Sequence, residues 1–182
     1  MKNSFYVDNC LTSLNSLEEM NKFIEESQKI LLTGHFNLRC WQSNYFSPSI
    51  QEPVPETTLV LGMIWQLKED TLTCKIEQLT DVASPLTKRK LLSVTQKVFD
   101  PVGYTAPVTI IPKVILQKTW NLKLNWDDEL PSSLVKPFKL WLQHLPALSR
   151  VQIPRWLNIT SENENSATLH VSCDASKQAY AT

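Results

Sequence analysis

Phe5-Tyr6-Val7-Asp8-Asn9-Cys10-Leu11-Thr12 is the stretch on which the reading of this chain turns. Aromatic and β-branched Phe5, Tyr6 and Val7 favour extended backbone. Asp8 and Asn9 favour a turn, because their short polar side chains hydrogen-bond the local backbone. Cys10-Leu11-Thr12 then reads as a returning strand, so the expectation is a tight hairpin with Asp8 at its tip. Such a hairpin holds an acidic side chain on rigid backbone. Nucleotidyl transfer needs that, since hard divalent ions are held by fixed carboxylate oxygens. Asp-Asn is equally an ordinary turn, and four residues do not choose between the two readings.

The flanking sequence extends the pattern. Residues 16–32 read as a helix: Ser16-x-x-Glu19 is a capping box. Leu17, Met20, Phe23, Ile24, Ser27, Ile30 and Leu31 share one face, opposite a charged one. Gly34 is expected to end the helix in left-handed backbone. Residues 36–41 alternate as a strand would, and residues 47–57 are a Pro-punctuated loop. Residues 59–67 and 71–76 read as two strands joined by Lys68-Glu69-Asp70, with Gly62 marking a bulge or a close backbone approach. Three helices are then expected. The first runs from the Thr87 cap to Phe99, where Asp100-Pro101 ends it. The second covers residues 108–122, with Pro112 near its first turn. The third covers 131–145 and carries Leu134, Phe138, Trp141, Leu142 and Leu145. A polar turn at 161–166 precedes a strand at 169–174 that ends in Asp174. The class is therefore α+β. The expected divisions are an N-terminal unit of hairpin, helix and hairpin over 1–80, a helical unit over 86–150, and a linker with an isolated strand over 151–182.

Composition narrows the setting. Three glycines exclude collagen-like and Gly-rich linker readings. No run of about eighteen apolar residues occurs, so no membrane span is expected. The first residues lack the apolar region of a signal peptide. Cys10, Cys40, Cys74 and Cys173 form no C-x-x-C pair, which fits reduced, mostly buried thiols in an intracellular protein, in the cytoplasm and by extension the nucleus. Residues 1–85 hold six Lys/Arg against eleven Asp/Glu, whereas residues 86–182 hold twelve against seven. An acidic front and a basic rear suit a metal-binding part followed by a nucleic-acid-gripping part, and solvated surface charge explains the same counts.

Several motifs in order carry a family resemblance: residues 5–13, Gly34-His35-Phe36-Asn37-Leu38-Arg39-Cys40-Trp41, Val60-Leu61-Gly62-Met63-Ile64-Trp65, Thr87-Lys88-Arg89-Lys90-Leu91-Leu92, Phe99-Asp100-Pro101-Val102-Gly103-Tyr104, Ala106-Pro107-Val108-Thr109-Ile110, Trp126-Asp127 and Ile153-Pro154-Arg155-Trp156. Together they resemble the polymerase region of Pao/BEL-type retrotransposons, continuing through the segment known as the Pao retrotransposon peptidase family to the start of RNase H. The resemblance implies a partial reverse-transcriptase palm, a helical thumb and connection, and an RNase H-like first strand. Tyr6-Val7-Asp8-Asn9 is similar to the Tyr-x-Asp-Asp box, with Asp8 as metal-binding catalytic carboxylate and Asn9 in place of the second acid. Leu61 and Gly62 resemble a primer grip. Cys173-Asp174-Ala175-Ser176 resembles the opening of RNase H, with Asp174 as a catalytic metal ligand, though a strand ending in an ordinary Asp-Ala-Ser turn fits those residues too.

The implied cofactor is Mg2+ or Mn2+ in the complete enzyme. The implied partners are an RNA/DNA primer–template and the remainder of the polyprotein, with no membrane. Lys88, Arg89, Lys90 and Lys97 on the first of the three helices, with Lys113 and Lys118 beyond, are candidates for phosphate contacts or simply a solvated face. The other metal-binding acids of both active sites are expected outside this chain, so the isolated chain is expected to be inactive. A non-catalytic binding or assembly module from a decayed or host-adopted element is the alternative. An aspartic peptidase comes third, because no Asp-Thr-Gly or Asp-Ser-Gly is present.

Overall fold

The computed structural model describes residues 5–6, 9–45, 50, 55–76, 82, 84–160 and 163–181. The chain forms two compact units, Met1–Glu56 and Thr57–Thr182. In the first, strand β1 (Phe5–Tyr6) pairs antiparallel with β2 (Asn9–Cys10), Phe5 opposite Cys10 and Tyr6 opposite Asn9. Asp8, expected at the tip, and Val7, expected in the first strand, lie outside the described residues, and Asn9, expected in the turn, opens β2.

Helix α1 (Leu17–Thr33) follows. Its cap works reciprocally: Glu19 N–H donates to Ser16 Oγ at 3.1 Å, and the Glu19 carboxylate accepts from Asn15 N–H at 3.0 Å. Glu18 and Glu19 in the first turn also suit the helix dipole. Ile24 and Ser27 are its buried residues. At the other end Gly34 has φ −95°, and the left-handed residue is His35 at φ 62°. The helix runs through Thr33, so Gly34 is the cap itself and the left-handed position falls one residue later. There His35 N–H and Phe36 N–H close on Leu32 O and Leu31 O. The strand expected at 36–41 is not formed. Cys40 sits at φ 57°, which breaks the extended alternation, and no partner strand pairs with these residues among those described.

The second unit is built on an antiparallel sheet in the order β3 (Thr57–Val60), β4 (Met63–Gln66), β5 (Thr71–Cys74), β6 (Ile153–Pro154). The single strand expected over 59–67 is in fact folded back on itself at Leu61-Gly62. Both turn residues have positive φ, 50° and 78°, the primed geometry whose twist matches a two-residue hairpin. Met63 then faces Cys74 across β4 and β5, and Leu72 faces Ile153.

Three helices cover this sheet: α2 (Lys88–Gln96), α3 (Ala106–Asn121) and α4 (Ser132–His144), the last continuing into a 3-10 turn, Leu145–Arg150. Thr87 caps α2 through Lys90 N–H. Pro112, expected near the first turn of the second of these helices, lies mid-helix because α3 begins at Ala106. Proline has no N–H to offer Val108 O four residues back. Trp141 Nε1 of α4 donates to that oxygen instead, at 3.0 Å.

Met63 and Cys74 from the sheet, and Ile76 just beyond β5, join Leu91, Val94, Ile115, Leu116, Leu134, Phe138, Trp141, Leu142 and Leu145 in one apolar cluster. The strands over 57–74, expected with the N-terminal unit, thus share a core with the helices, and the compact units divide at Glu56/Thr57. A short sheet with one apolar face is not stable by itself, and these strands bury theirs on the helices.

Beyond β6, the strand expected at 169–174 shrinks to β7 (Asp174–Ala175), paired with β8 (Tyr180–Ala181). Leu169 and Val171, inside the expected strand, are 88% and 76% exposed. Cys40 and Cys173 are exposed as well and only Cys74 is buried, against the expectation of mostly buried thiols. No helix among the described residues is long and apolar enough to cross a membrane.

Candidate nucleic-acid interface

The two acids singled out from sequence fare differently from the rest. Asp8, with Val7, lies outside the described residues, while Tyr6 and Asn9 are paired in the strands that flank them. Asp174 opens β7, its backbone opposite Ala181. Among the described residues no group of three or more His, Cys, Asp or Glu side chains converges to hold a metal ion.

Leu61 and Gly62 form the tip of the β3–β4 hairpin, and Phe99 lies against it. A Cβ placed on Gly62 would stand 2.6 Å from Phe99 Cδ1 and 2.9 Å from Cε1, inside any van der Waals contact. Phe99 belongs to the loop between α2 and α3, which is held at several points. Cys74 Sγ–H donates to Phe99 O at 3.3 Å, and Cys74 N–H donates to the Tyr104 hydroxyl at 2.7 Å. The Asp100 carboxylate accepts from Gly103 N–H at 2.7 Å, from Thr105 N–H at 2.6 Å and from Thr105 Oγ1 at 2.6 Å. Burial pushes the Tyr104 hydroxyl up to about 12 and raises the Cys74 thiol. Burial also acts to raise Asp100, but the donors of Thr105 and Gly103 outweigh it and hold the carboxyl below its ordinary value. The sequence motif 99–104 is thus a rigid brace between β5 and the start of α3.

The basic residues divide. Lys88 is only 5% exposed. Its ammonium lies 4.2 Å from the centre of the Trp120 ring and 4.9 Å from that of Trp126, and donates to Leu124 O at 3.4 Å. This cation–π seat takes Lys88 out of any solvent-facing row of phosphate contacts. Arg89 makes a two-point pair with Asp127 at 2.8 and 3.0 Å, so its fork is engaged. The hydrogen bonds and charge of that pair raise Arg89 and lower Asp127. Lys90 Nζ donates to Pro85 O at 2.9 Å. Lys97, Lys113 and Lys118 are exposed.

One constellation gave no local signal in the sequence. Arg155 forks onto Asp70, Nε to Oδ1 at 2.6 Å and Nη2 to Oδ2 at 2.9 Å. Trp65 Nε1 donates to the same Oδ1 at 2.9 Å, and Arg155 N–H donates to Asp70 O at 3.0 Å. The guanidinium also sits 5.3 Å from the centre of the Trp65 ring. This network fastens β6 to the sheet, and its partners are 85 residues apart.

Residues 87–182 match a family model described as the Pao retrotransposon-like RNaseH-like domain. That description names no peptidase. The match begins at the Thr87 cap and takes in α2, α3, α4 and β6 to β8, while β3, β4 and β5 precede it and share its core. No curated protein and no solved structure matches the chain.

Proposed function

Because the chain belongs to the Pao retrotransposon-like RNaseH-like domain family, we propose that it is part of a retrotransposon RNA-directed DNA polymerase polyprotein and that its own contribution is to grip the primer–template. In this reading residues 1–80 are the rear of the palm, with the Leu61-Gly62 hairpin as a primer grip. Residues 86–150 are read as thumb and connection and residues 151–182 as leading into RNase H, whereas the matched family model takes 87–182 together as RNaseH-like. The observation that supports it best is the single apolar core that joins Met63, the residue next to the hairpin tip, to side chains of three helices. A grip of that kind needs a turn close to nucleic acid, on a base that does not yield. Lys97, Lys113 and Lys118, exposed on the helical part, suit sequence-independent phosphate contacts.

Asp8 and Asp174 are read as carboxylates for Mg2+ or Mn2+ in the complete enzyme. The described residues do not by themselves make up a two-ion centre: no carboxylate cluster converges, and Asn9 brings no negative charge where a second acid would stand. No metal-dependent step is therefore assigned to this chain.

The reading is tested by titrating the chain with a fluorescent primer–template duplex at ~50 and ~200 mM salt. Binding that weakens steeply with salt is expected. Absent or salt-indifferent binding refutes it and favours an assembly module. In the full polyprotein, Asp8→Ala is expected to abolish primer extension, and undiminished extension removes Asp8 from the reaction.

A further inference from the structure

We infer that Phe99 is a stacking residue for the end of a nucleic-acid strand, flanked by Lys75 and Lys97 as phosphate contacts. The inference rests on the primer-grip reading of Leu61-Gly62 and adds to it the surface the strand would meet. Phe99 is 50% exposed, yet it belongs to a loop held by several hydrogen bonds. Its carbonyl is bonded by Cys74, and the following Asp100 is locked by Gly103 and Thr105. One part of the ring covers Gly62 so closely that a Cβ there would collide with it. An aromatic ring half in water ordinarily gains little from being fixed. Fixing it in advance removes the ordering cost of a ligand that stacks on it.

The surrounding charge selects the ligand. Met63 follows Gly62 and pairs with Cys74, so Lys75 stands one position beyond the ladder, beside the hairpin tip. Lys97 caps α2 two residues before Phe99. Both lysines are exposed, and neither ammonium makes a hydrogen bond or ion pair among the described residues. The acid of this loop, Asp100, is occupied by internal donors. Two cations beside a fixed ring fit a strand whose base stacks and whose phosphates are neutralised.

The test uses the full chain and a primer–template duplex with 5-iodouracil at the primer 3′ end. Ultraviolet crosslinking of the unaltered protein is expected to place the adduct on Phe99. In parallel, Phe99→Leu should weaken binding about ten-fold, with Phe99→Tyr restoring it. Lys75→Gln combined with Lys97→Gln should lower the salt slope by about two. Salt-dependent binding with an adduct only elsewhere, and with Phe99→Leu unchanged, overturns the stacking role and leaves the wider nucleic-acid reading standing. No binding by the unaltered protein at low salt overturns both.

Discussion

Trp141→Phe isolates one unusual hydrogen bond. Pro112 leaves Val108 O without its helical donor, and Trp141 Nε1 supplies the replacement at 3.0 Å from the neighbouring helix. Trp141 is 5% exposed and stacks on Phe138, with ring centres 5.4 Å apart. Phenylalanine keeps the stacking and removes the donor. An orphaned carbonyl in this setting costs ~1–3 kcal/mol. The smaller ring adds ~1–2 kcal/mol for the volume it leaves, so a loss of ~2–5 kcal/mol is expected. The decisive comparison is a double-mutant cycle with Pro112→Ala, which returns an N–H to the helix and a partner to Val108 O. In that background Trp141→Phe should cost only its packing part, so the coupling is the carbonyl's ~1–3 kcal/mol whatever the sign of Pro112→Ala alone. Urea unfolding of the four proteins, followed by far-ultraviolet circular dichroism, measures it. Costs that add to within ~0.5 kcal/mol would refute the idea that Trp141 compensates for the proline.

Three further perturbations test other parts of the unit. Asp70→Asn removes the charge from the Arg155 fork and should destabilise by ~1–3 kcal/mol, since the pair is largely shielded from solvent; hydrogen exchange at the Leu72 and Ile153 amides should accelerate more than exchange within α3. Asp100 titrates below its ordinary value in the folded chain, so its contribution is complete above the unfolded pKa and disappears as pH falls through the folded one. Urea midpoints should accordingly drop on acidification below about pH 4, and Asp100→Asn, weaker at neutral pH, should show a shallower drop; parallel curves would exclude this carboxylate as a source of acid sensitivity. Lys88→Gln vacates the seat between Trp120 and Trp126 and should lower the unfolding midpoint while leaving the salt slope of nucleic-acid binding unchanged; a slope that falls by about one would show instead that Lys88 reaches a phosphate.

The helices were legible because each repeats an apolar face at helical spacing between recognisable caps. Ser16 and Thr87 cap where expected, and Leu134, Phe138, Trp141 and Leu142 are buried together. The β3–β4 hairpin was misread because residues 59–67 are apolar almost throughout, so their periodicity cannot reveal a reversal in the middle. Gly62 carried the clue, but its meaning depended on Leu61 also adopting positive φ, which sequence does not advertise for leucine. Lys88 looked like part of a solvated basic row because lysine is rarely buried. Its burial depends on two tryptophans brought up from beyond α2. The Asp70–Arg155 network and the Phe99–Gly62 contact are likewise products of folding over long sequence separations, with no local pattern to announce them.

The disagreement between the family match and the compact unit carries a prediction of its own. The match starts at Thr87, yet Met63, Cys74 and Ile76 are 1%, 1% and 6% exposed within the core that α2, α3 and α4 build. Residues 87–182 alone would lose those side chains together with the β5 partner of β6, the Cys74 donor to Tyr104 and the Asp70 acceptor of Arg155. Each buried aliphatic side chain is worth ~1.5–3 kcal/mol, and a domain of this size has only ~5–15 kcal/mol in total. Losing three such contacts and their polar links consumes most of that margin. Residues 57–182 should therefore unfold cooperatively in urea, whereas 87–182 should show helical circular dichroism without a sharp transition. If 87–182 unfolds as sharply as 57–182 and at the same midpoint, the hairpins are an appendage. The firm seat that the primer-grip reading requires would then be missing.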